Sequence, residues 1–204
     1  MSEPQRQQPH PDVTVRLGGW LFRHRTSIPV PVALALLLIP ARPQASDYLI
    51  PAGILLVAAG EALRLWAVRH IGAISRTRSD RLGPVVATGP FAHVRNPLYV
   101  GNVALWTGFA LAARLPWAAA IVAALVGFEY HAIVRWEERL LESNRGADYR
   151  AYLARVPRWI PTLGAPAGAM SAPFSWRDTL FSERGTLVAI AAGFALLASK
   201  SALW

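Results

Sequence analysis

Two short polar segments carry the residue types that could do chemistry in this chain. The first is Arg95-Asn96-Pro97-Leu98-Tyr99, in which a guanidinium, an amide and a phenol lie within five positions. Pro97 suits the first turn of a helix, where its missing N–H has no partner to lose, and this makes Asn96 the expected N-cap. Such a helix start offers free N–H groups to a carboxylate or phosphate, and Arg95 adds a forked donor beside it.

The second segment, Arg135-Trp136-Glu137-Glu138-Arg139, places two adjacent carboxylates between arginines. Neighbouring side chains on a helix point about 100° apart, so Glu137 and Glu138 cannot both face one partner. One of them can face an inner pocket while the other pairs outward. The alternative interpretation is a solvated helix face with i,i+4 salt bridges. For the first segment, the alternative is a capped helix with an arginine and a tyrosine at the membrane interface.

Long apolar stretches flank both segments and must position them. Hydrophobic residues make up 53% of the 204 residues and charged residues only 16%, whereas soluble domains average about 25% charged residues. A helix needs about 20 apolar residues to cross a bilayer core. The candidate spans are 28–40, 48–68, 98–113, 115–134 and 186–204. The first of these is short and contains three prolines. It can therefore be either a kinked span or a re-entrant segment.

The distribution of cations orients these spans. If the five stretches alternate in direction, 17 of the 21 Lys and Arg residues fall on the side of the N-terminus. The positive-inside rule then predicts an integral membrane protein with a cytoplasmic N-terminus, which we expect in a bacterial inner membrane. The net charge of +9 therefore reflects topology, and we expect no nucleic-acid partner.

The composition argues against metal sites and thiol chemistry. The chain has no Cys, which excludes disulfides and thiolate ligands, and its five His residues show no metal-ligand spacing. We expect no metal site.

The connections between spans predict how the two polar segments meet. A tight turn at 113–116 makes the third and fourth spans an antiparallel hairpin, and the fourth helix is expected to continue into 135–153. This hairpin can bring Asn96, Tyr99, Glu137 and Glu138 to one pocket at the cytoplasmic surface. The predicted organisation is a disordered 1–12, a transmembrane core 13–160, a linker with an interfacial helix at 161–185, and a final span 186–204.

The order of these motifs is similar to a known family. Arg95-Asn96-Pro97-Leu98-Tyr99, preceded by Gly89-Pro90-Phe91 and followed by Glu137-Glu138, resembles the motifs of isoprenylcysteine carboxyl methyltransferases and the related membrane phospholipid methyltransferases. The likeness covers about residues 55–160 and includes 146–152 and 156–158, which look like the family's closing segment. It implies an all-α integral membrane fold of about five transmembrane helices. A cytoplasmic cofactor pocket would form between the hairpin and the C-terminal cytoplasmic helix.

The resemblance also implies S-adenosylmethionine as the cofactor and a lipid or another amphiphilic small molecule as the methyl acceptor. It implies catalytic roles for Arg95, Arg135 and Glu138. Phe91 departs from the usual Tyr, and Asn96 replaces the His of the eukaryotic enzymes. The residues that match the family's cofactor motifs are Val85, Val86, Phe91, Asn96, Pro97, Leu98, Tyr99, Glu137 and Glu138.

Two other functions remain open at the level of the sequence. One is an NADPH-dependent membrane reductase of the sterol-reductase type, for which the chain is short. The other is a non-enzymatic membrane scaffold. The motifs specify neither O- nor N-methylation, and they do not specify the oligomeric state.

Overall fold

The computed structural model describes residues 12–41, 46–72, 85–163 and 175–203, and within these ranges the regular structure is helical throughout. A short 3-10 helix spans Gly89–Ala92. The α-helices are α1 (Val13–His24), α2 (Pro29–Leu38), α3 (Leu49–Ile71), α4 (Pro97–Ala112), α5 (Pro116–Arg155) and α6 (Trp176–Leu203). Residues 1–11 of the predicted disordered segment 1–12, and residues 164–174 of the predicted linker, lie outside the described residues.

Three helices, α3, α5 and α6, are long and apolar enough to cross a membrane. The sequence predicted five spans, but α4 has 16 residues and α2 only 10. At 1.5 Å per residue α2 is about 15 Å long, roughly half the thickness of a bilayer core. The helix ends there because Ile39 precedes Pro40 and adopts extended dihedral angles.

Facing glycines bring α3 and α4 into close contact. A Cβ atom on Gly53 would lie 2.5 Å from the carbonyl oxygen of Gly108, and one on Gly101 would lie 2.7 Å from that of Gly60. Small residues at such positions let two helix backbones approach closely. The crossing is antiparallel, and it places the side chain of Arg64 against Gly101.

The hairpin of α4 and α5 forms as the sequence predicts. Arg114 adopts a φ of 61° in the tight turn, and Pro116 begins the next helix. α5 runs for 40 residues, so its predicted continuation beyond the apolar stretch is confirmed. Gly146, with a φ of 53°, breaks the regular helix geometry and redirects the last turns of α5.

α6 is one continuous helix, whereas the sequence predicted a short interfacial helix followed by a separate span. No proline interrupts it, and the Ser175 hydroxyl accepts a hydrogen bond from the Asp178 N–H at 3.1 Å to cap its start. Phe194 packs on Phe109 of α4 with ring centroids 5.0 Å apart. The Lys200 ammonium donates to the Leu36 carbonyl at 2.7 Å. These contacts hold α6 beside α2 and α4, with a partly open cavity between the three helices.

Candidate functional site

Glu138 of α5 is held between two arginines at the end of the bundle where α4 begins, which we call the motif end. Arg95 Nη1 donates to Glu138 Oε1 at 3.0 Å. Arg158 donates to both carboxylate oxygens, at 3.1 and 2.5 Å, and this hydrogen-bonded pair raises the pKa of Arg158. Arg95 also donates to the carbonyls of Val156 and Leu153, at 2.5 and 2.7 Å. Arg95 and Glu138 are therefore engaged in tying the chain after α5 to the start of α4.

The chain after α5 folds back along the segment that precedes α4. The Thr162 N–H donates to the His93 carbonyl at 3.0 Å, and the Asn96 side-chain amide donates to the Arg158 carbonyl at 3.2 Å. Asn96 occupies the N-cap position that the sequence predicts, but its side chain makes no capping hydrogen bond. The amide group instead satisfies a carbonyl of the returning segment.

Glu137 faces a different partner from Glu138, as the 100° spacing of adjacent helical side chains requires. The Tyr99 hydroxyl donates to Glu137 Oε1 at 3.0 Å, and the Tyr99 ring stacks on Tyr130 at a centroid distance of 4.6 Å. Glu137 lies beyond the apolar part of α5. Burial raises its pKa to about 7, although the hydrogen bond from Tyr99 and the charge of Arg25 act in the opposite direction.

The last turns of α5 support the loop that precedes α4. The Tyr152 hydroxyl donates to the Phe91 carbonyl at 2.8 Å, and burial raises the pKa of Tyr152 well above its ordinary value. Tyr149 and Tyr152 are buried in a small apolar cluster against which Val85 packs. Val86 is half-buried. Two of the predicted cofactor residues, Val85 and Phe91, thus contact α5 or pack in the interior.

An apolar cavity of about 730 Å³ lies between α2, α4 and α6. Its walls include Leu36, Phe109 and Leu197, one from each helix. One end of it is polar and reaches the motif end, where Leu98 also lines the cavity. The polar end is lined by Arg25, Arg64, Tyr99, Asn102, Tyr130 and Glu183.

Arg64 gathers partners from three helices at this polar end. Within α3, Arg64 forms an ion pair of 3.1 Å with Glu61. Arg64 also forms an ion pair of 2.5 Å with Glu183 of α6, donates to the Thr186 hydroxyl at 3.2 Å, and donates to Asn102 Oδ1. These partners lie on helices that are mostly apolar. A charged side chain in such surroundings is stable only when it is paired.

Two members of this network, Glu183 and Tyr130, are not evident from the sequence. The sequence places Glu183 in the predicted interfacial segment, because the register of α6 against α3 depends on packing that no local spacing reveals. No motif marks Tyr130, although it accepts a hydrogen bond from Asn102 Nδ2 at 3.0 Å. The sequence signal that could have found this network is the presence of polar side chains, such as Asn102 and Tyr130, in otherwise apolar helices.

Arg135, which the resemblance assigns to catalysis, stands apart from both polar clusters. Its guanidinium pairs with Asp12 at 2.7 Å, and the two side chains are 40% and 42% exposed. Asp12 also caps α1 by accepting from the Thr14 N–H at 3.1 Å. In this structure Arg135 therefore fastens α1 to α5, while Arg95 and Glu138 lie together at the motif end.

The helices and their polar clusters define an integral membrane protein. A model of the phospholipid methyltransferase family matches residues 49–147, from the start of α3 into α5. The chain is 32% identical over 154 residues to the nickel-cobalt-cadmium resistance protein NccN of Alcaligenes xylosoxydans, covering 72% of this chain and 69% of the relative. It therefore belongs to the phospholipid methyltransferase family, which confirms the resemblance drawn from its motifs.

A second relative has a related name. The chain is 29% identical over 123 residues to the cobalt-zinc-cadmium resistance protein CzcN of Cupriavidus metallidurans, covering 60% of this chain and 54% of the relative. The chain thus spans about half of that protein's length. No solved structure matches the chain.

Proposed function

We propose that this protein transfers a methyl group from S-adenosylmethionine to an amphiphilic acceptor that is held in the membrane. The observation that carries the proposal is the position of Tyr99. This residue lines the apolar cavity, and its hydroxyl donates to Glu137 on the neighbouring helix. A single side chain thereby joins a hydrocarbon-lined space to a buried carboxylate. Membership of the phospholipid methyltransferase family supports methyl transfer as the class of reaction.

The residues around Tyr99 fit the charges of this cofactor. S-adenosylmethionine, when bound, supplies an electrophilic methyl group on a sulfonium cation. Burial of Glu137 raises its pKa to about 7, so this carboxylate gains from a cationic partner. The stacked rings of Tyr99 and Tyr130 offer aromatic faces, which attract cations. We assign Leu98, Tyr99 and Glu137 to holding the cofactor.

The remaining predicted residues act by positioning. In-line methyl displacement depends chiefly on alignment of the reacting groups. Arg95 and Glu138 fix the start of α4 and so hold Tyr99 in place. If the acceptor is an amine or a hydroxyl, Glu137 can take its proton, whereas a carboxylate acceptor needs no base.

We also infer that the chain crosses the membrane five times, with the motif end in the cytoplasm of a bacterium. Arg25, which follows α1, lies at the same end of the cavity as Tyr99. Asp47 pairs with Arg114 in the α4–α5 turn, at 3.2 Å and at the opposite end of the bundle. The chain between them therefore passes from one end to the other, partly as the short α2. The dense arginines after the apolar part of α5 favour a cytoplasmic motif end.

Cofactor binding tests the proposed function. The purified protein in lipid nanodiscs is titrated calorimetrically with S-adenosylmethionine and, separately, with NADPH. We expect saturable binding of S-adenosylmethionine alone. Binding of NADPH without S-adenosylmethionine would favour a membrane reductase, and binding of neither would favour a scaffold.

The names of the two relatives suggest a physiological setting. Both are called resistance proteins for cobalt and cadmium, with nickel or zinc in addition. We propose that the methylated product contributes to metal tolerance of the host cell. A host lacking the gene should regain growth in cadmium with the wild-type protein but not with Glu137→Gln. Full rescue by the variant would separate metal tolerance from methyl transfer.

A further inference from the structure

The Tyr130 hydroxyl stands at the polar end of the cavity with a proton to donate. Its oxygen accepts a hydrogen bond from Asn102 Nδ2 at 3.0 Å. Among the described residues no protein group accepts the hydroxyl proton of Tyr130, and the residue lines the cavity. A buried hydroxyl normally finds a partner for its proton. A ligand in the cavity can supply that partner.

The direction of this donor is fixed by a chain of hydrogen bonds that begins at Arg64. A guanidinium has donors only, so the oxygen of the Asn102 amide must face Arg64. The amide nitrogen then faces Tyr130 and occupies a lone pair of its hydroxyl oxygen. Arg64 is itself held by Glu183 of α6 at 2.5 Å. The docking of α6 therefore sets the orientation of Tyr130 through two intervening side chains.

The dimensions of the cavity match one hydrocarbon chain. If a non-hydrogen atom needs about 30 Å³, as a water molecule does, a cavity of about 730 Å³ holds roughly 24 such atoms. That is too few for two long chains and a head group. The cavity follows α6 from Glu183 to Leu197, which at 1.5 Å per residue is a length of about 21 Å. The polar lining residues lie at the Glu183 end of this path, and apolar residues such as Leu197 lie at the other end.

We propose that Tyr130 is the head-group donor of the acceptor site, and that this site takes a single-chain amphiphile whose head group presents a hydrogen-bond-accepting oxygen. Arg64 at the same end of the cavity is already paired with Glu61 and Glu183. The group that the site recognises is therefore the accepting oxygen itself, in a carboxylate, a phosphate or a hydroxyl. The role of the ligand as a methyl acceptor rests on the proposed function, but its binding does not. α6 lies outside the segment matched by the family model, so this part of the site is not contained in that match.

A binding experiment with a defined probe tests the assignment. The protein is placed in nanodiscs of diacyl phosphatidylcholine, because a detergent is itself a single-chain amphiphile. Binding of cis-parinaric acid, a fluorescent fatty acid, is measured by its emission. Lysophosphatidic acid, octadecanol and diacyl phosphatidic acid serve as competitors. The first two distinguish an anionic from a neutral oxygen, and the last distinguishes one chain from two.

Two variants isolate the Tyr130 proton. Tyr130→Phe removes it. Asn102→Asp keeps the acceptor for Arg64 but offers Tyr130 a carboxylate, which diverts the proton away from the cavity. Each should weaken probe binding roughly three- to tenfold, the effect of one hydrogen bond. The matched controls are Tyr48→Phe and Asn144→Asp, both at exposed positions.

The pattern of results separates this proposal from a purely structural role. Asn102→Asp keeps an acceptor for Arg64 and a partner for Tyr130, so it should retain a cooperative thermal melt, and yet it should lose probe affinity. Affinity for S-adenosylmethionine should remain within twofold in the matched controls Tyr48→Phe and Asn144→Asp. Wild-type probe binding by Tyr130→Phe and Asn102→Asp would overturn the proposal, as would equal competition by diacyl phosphatidic acid. A failure to bind S-adenosylmethionine in every variant would instead count against the proposed function.

Discussion

The Tyr99 hydroxyl donates a hydrogen bond of 3.0 Å to Glu137, across the hairpin of α4 and α5. This contact joins the two polar segments that the sequence singles out. The adjacent glutamates have different partners, because Glu138 is engaged by Arg95 and Arg158 on a different side of α5. One carboxylate therefore faces the proposed cofactor site, and the other stabilises the fold around it.

Glu137→Gln should weaken the binding of S-adenosylmethionine roughly 10- to 150-fold, because a charge-assisted hydrogen bond contributes about 1.5–3 kcal/mol. Tyr99→Phe should weaken it about three- to tenfold, and the double variant should lose less than the product of the two effects. Calorimetric titration gives these affinities. Glu142→Gln, an exposed carboxylate on the same helix, is the matched control. A control that loses as much affinity as Glu137→Gln would place the site elsewhere.

Cofactor affinity should depend on pH through Glu137. Its pKa is about 7, so the carboxylate is charged above this pH and protonated below it. A cationic ligand needs the charged form, so affinity should fall by up to about tenfold for each pH unit below 7 and level off above about 8. Glu137→Gln should show a flat profile over this range. A sloping profile in the variant would assign the titration to another group.

The same raised pKa has the opposite consequence for stability. Between the ordinary pKa of Glu and about 7, the folded protein binds a proton at Glu137 that the unfolded chain has lost. The ligand-free protein should therefore become less stable as the pH rises from 5 to 7, and Glu137→Gln should remove that part of the slope. Thermal melts over the pH series measure it. An unchanged slope in the variant would argue against a buried Glu137.

Glu138→Ala should destabilise the fold by about 3 kcal/mol, because it removes the shared partner of the largely buried Arg95 and the half-buried Arg158. Glu138→Ala should lower the melting temperature. Its cofactor affinity, measured at a low temperature where the variant is still folded, should change less. Glu142→Ala breaks only an exposed pair with Arg150 of 3.8 Å and should change stability by less than about 0.5 kcal/mol. Equal losses in the two variants would contradict the structural role of Glu138.

Arg135→Ala should leave cofactor affinity and turnover within about twofold. Its pair with Asp12 is exposed, and such pairs contribute little to stability. Asp12→Ala should cost slightly more stability, because it also removes the cap of α1. Radiometric methyl transfer and thermal melts measure the two effects. A large loss of turnover with unchanged melting would restore the catalytic role that the resemblance assigns to Arg135.

The features predicted from the sequence are those that depend on local chemistry. Proline placement and apolar length predicted the start of α4, the turn into α5 and the continuation of that helix. The ion pair of Glu61 and Arg64 is equally local, because residues three apart share a helix face.

The features that escaped prediction depend on long-range packing. The contact of Glu183 with Arg64 requires the register of α6 against α3, and no short motif encodes it. The side chain of Asn96 turned to the chain after α5, because the carbonyl of Arg158 competes with the helix start for its amide. The cavity itself follows from three helices that meet only in the folded protein.

Methyl transfer to a membrane amphiphile at the Tyr99–Glu137 site can be measured directly by following a labelled methyl group. Protein in nanodiscs is incubated with methyl-labelled S-adenosylmethionine and a lipid extract of the host cell, and the label in the extracted lipids is followed over time. The wild-type protein and Glu142→Gln should label a lipid at similar rates, and Glu137→Gln should be at least tenfold slower. Absence of label with the wild-type protein would contradict methyl transfer to a lipid, and equal labelling by Glu137→Gln would contradict a role for Glu137 in it.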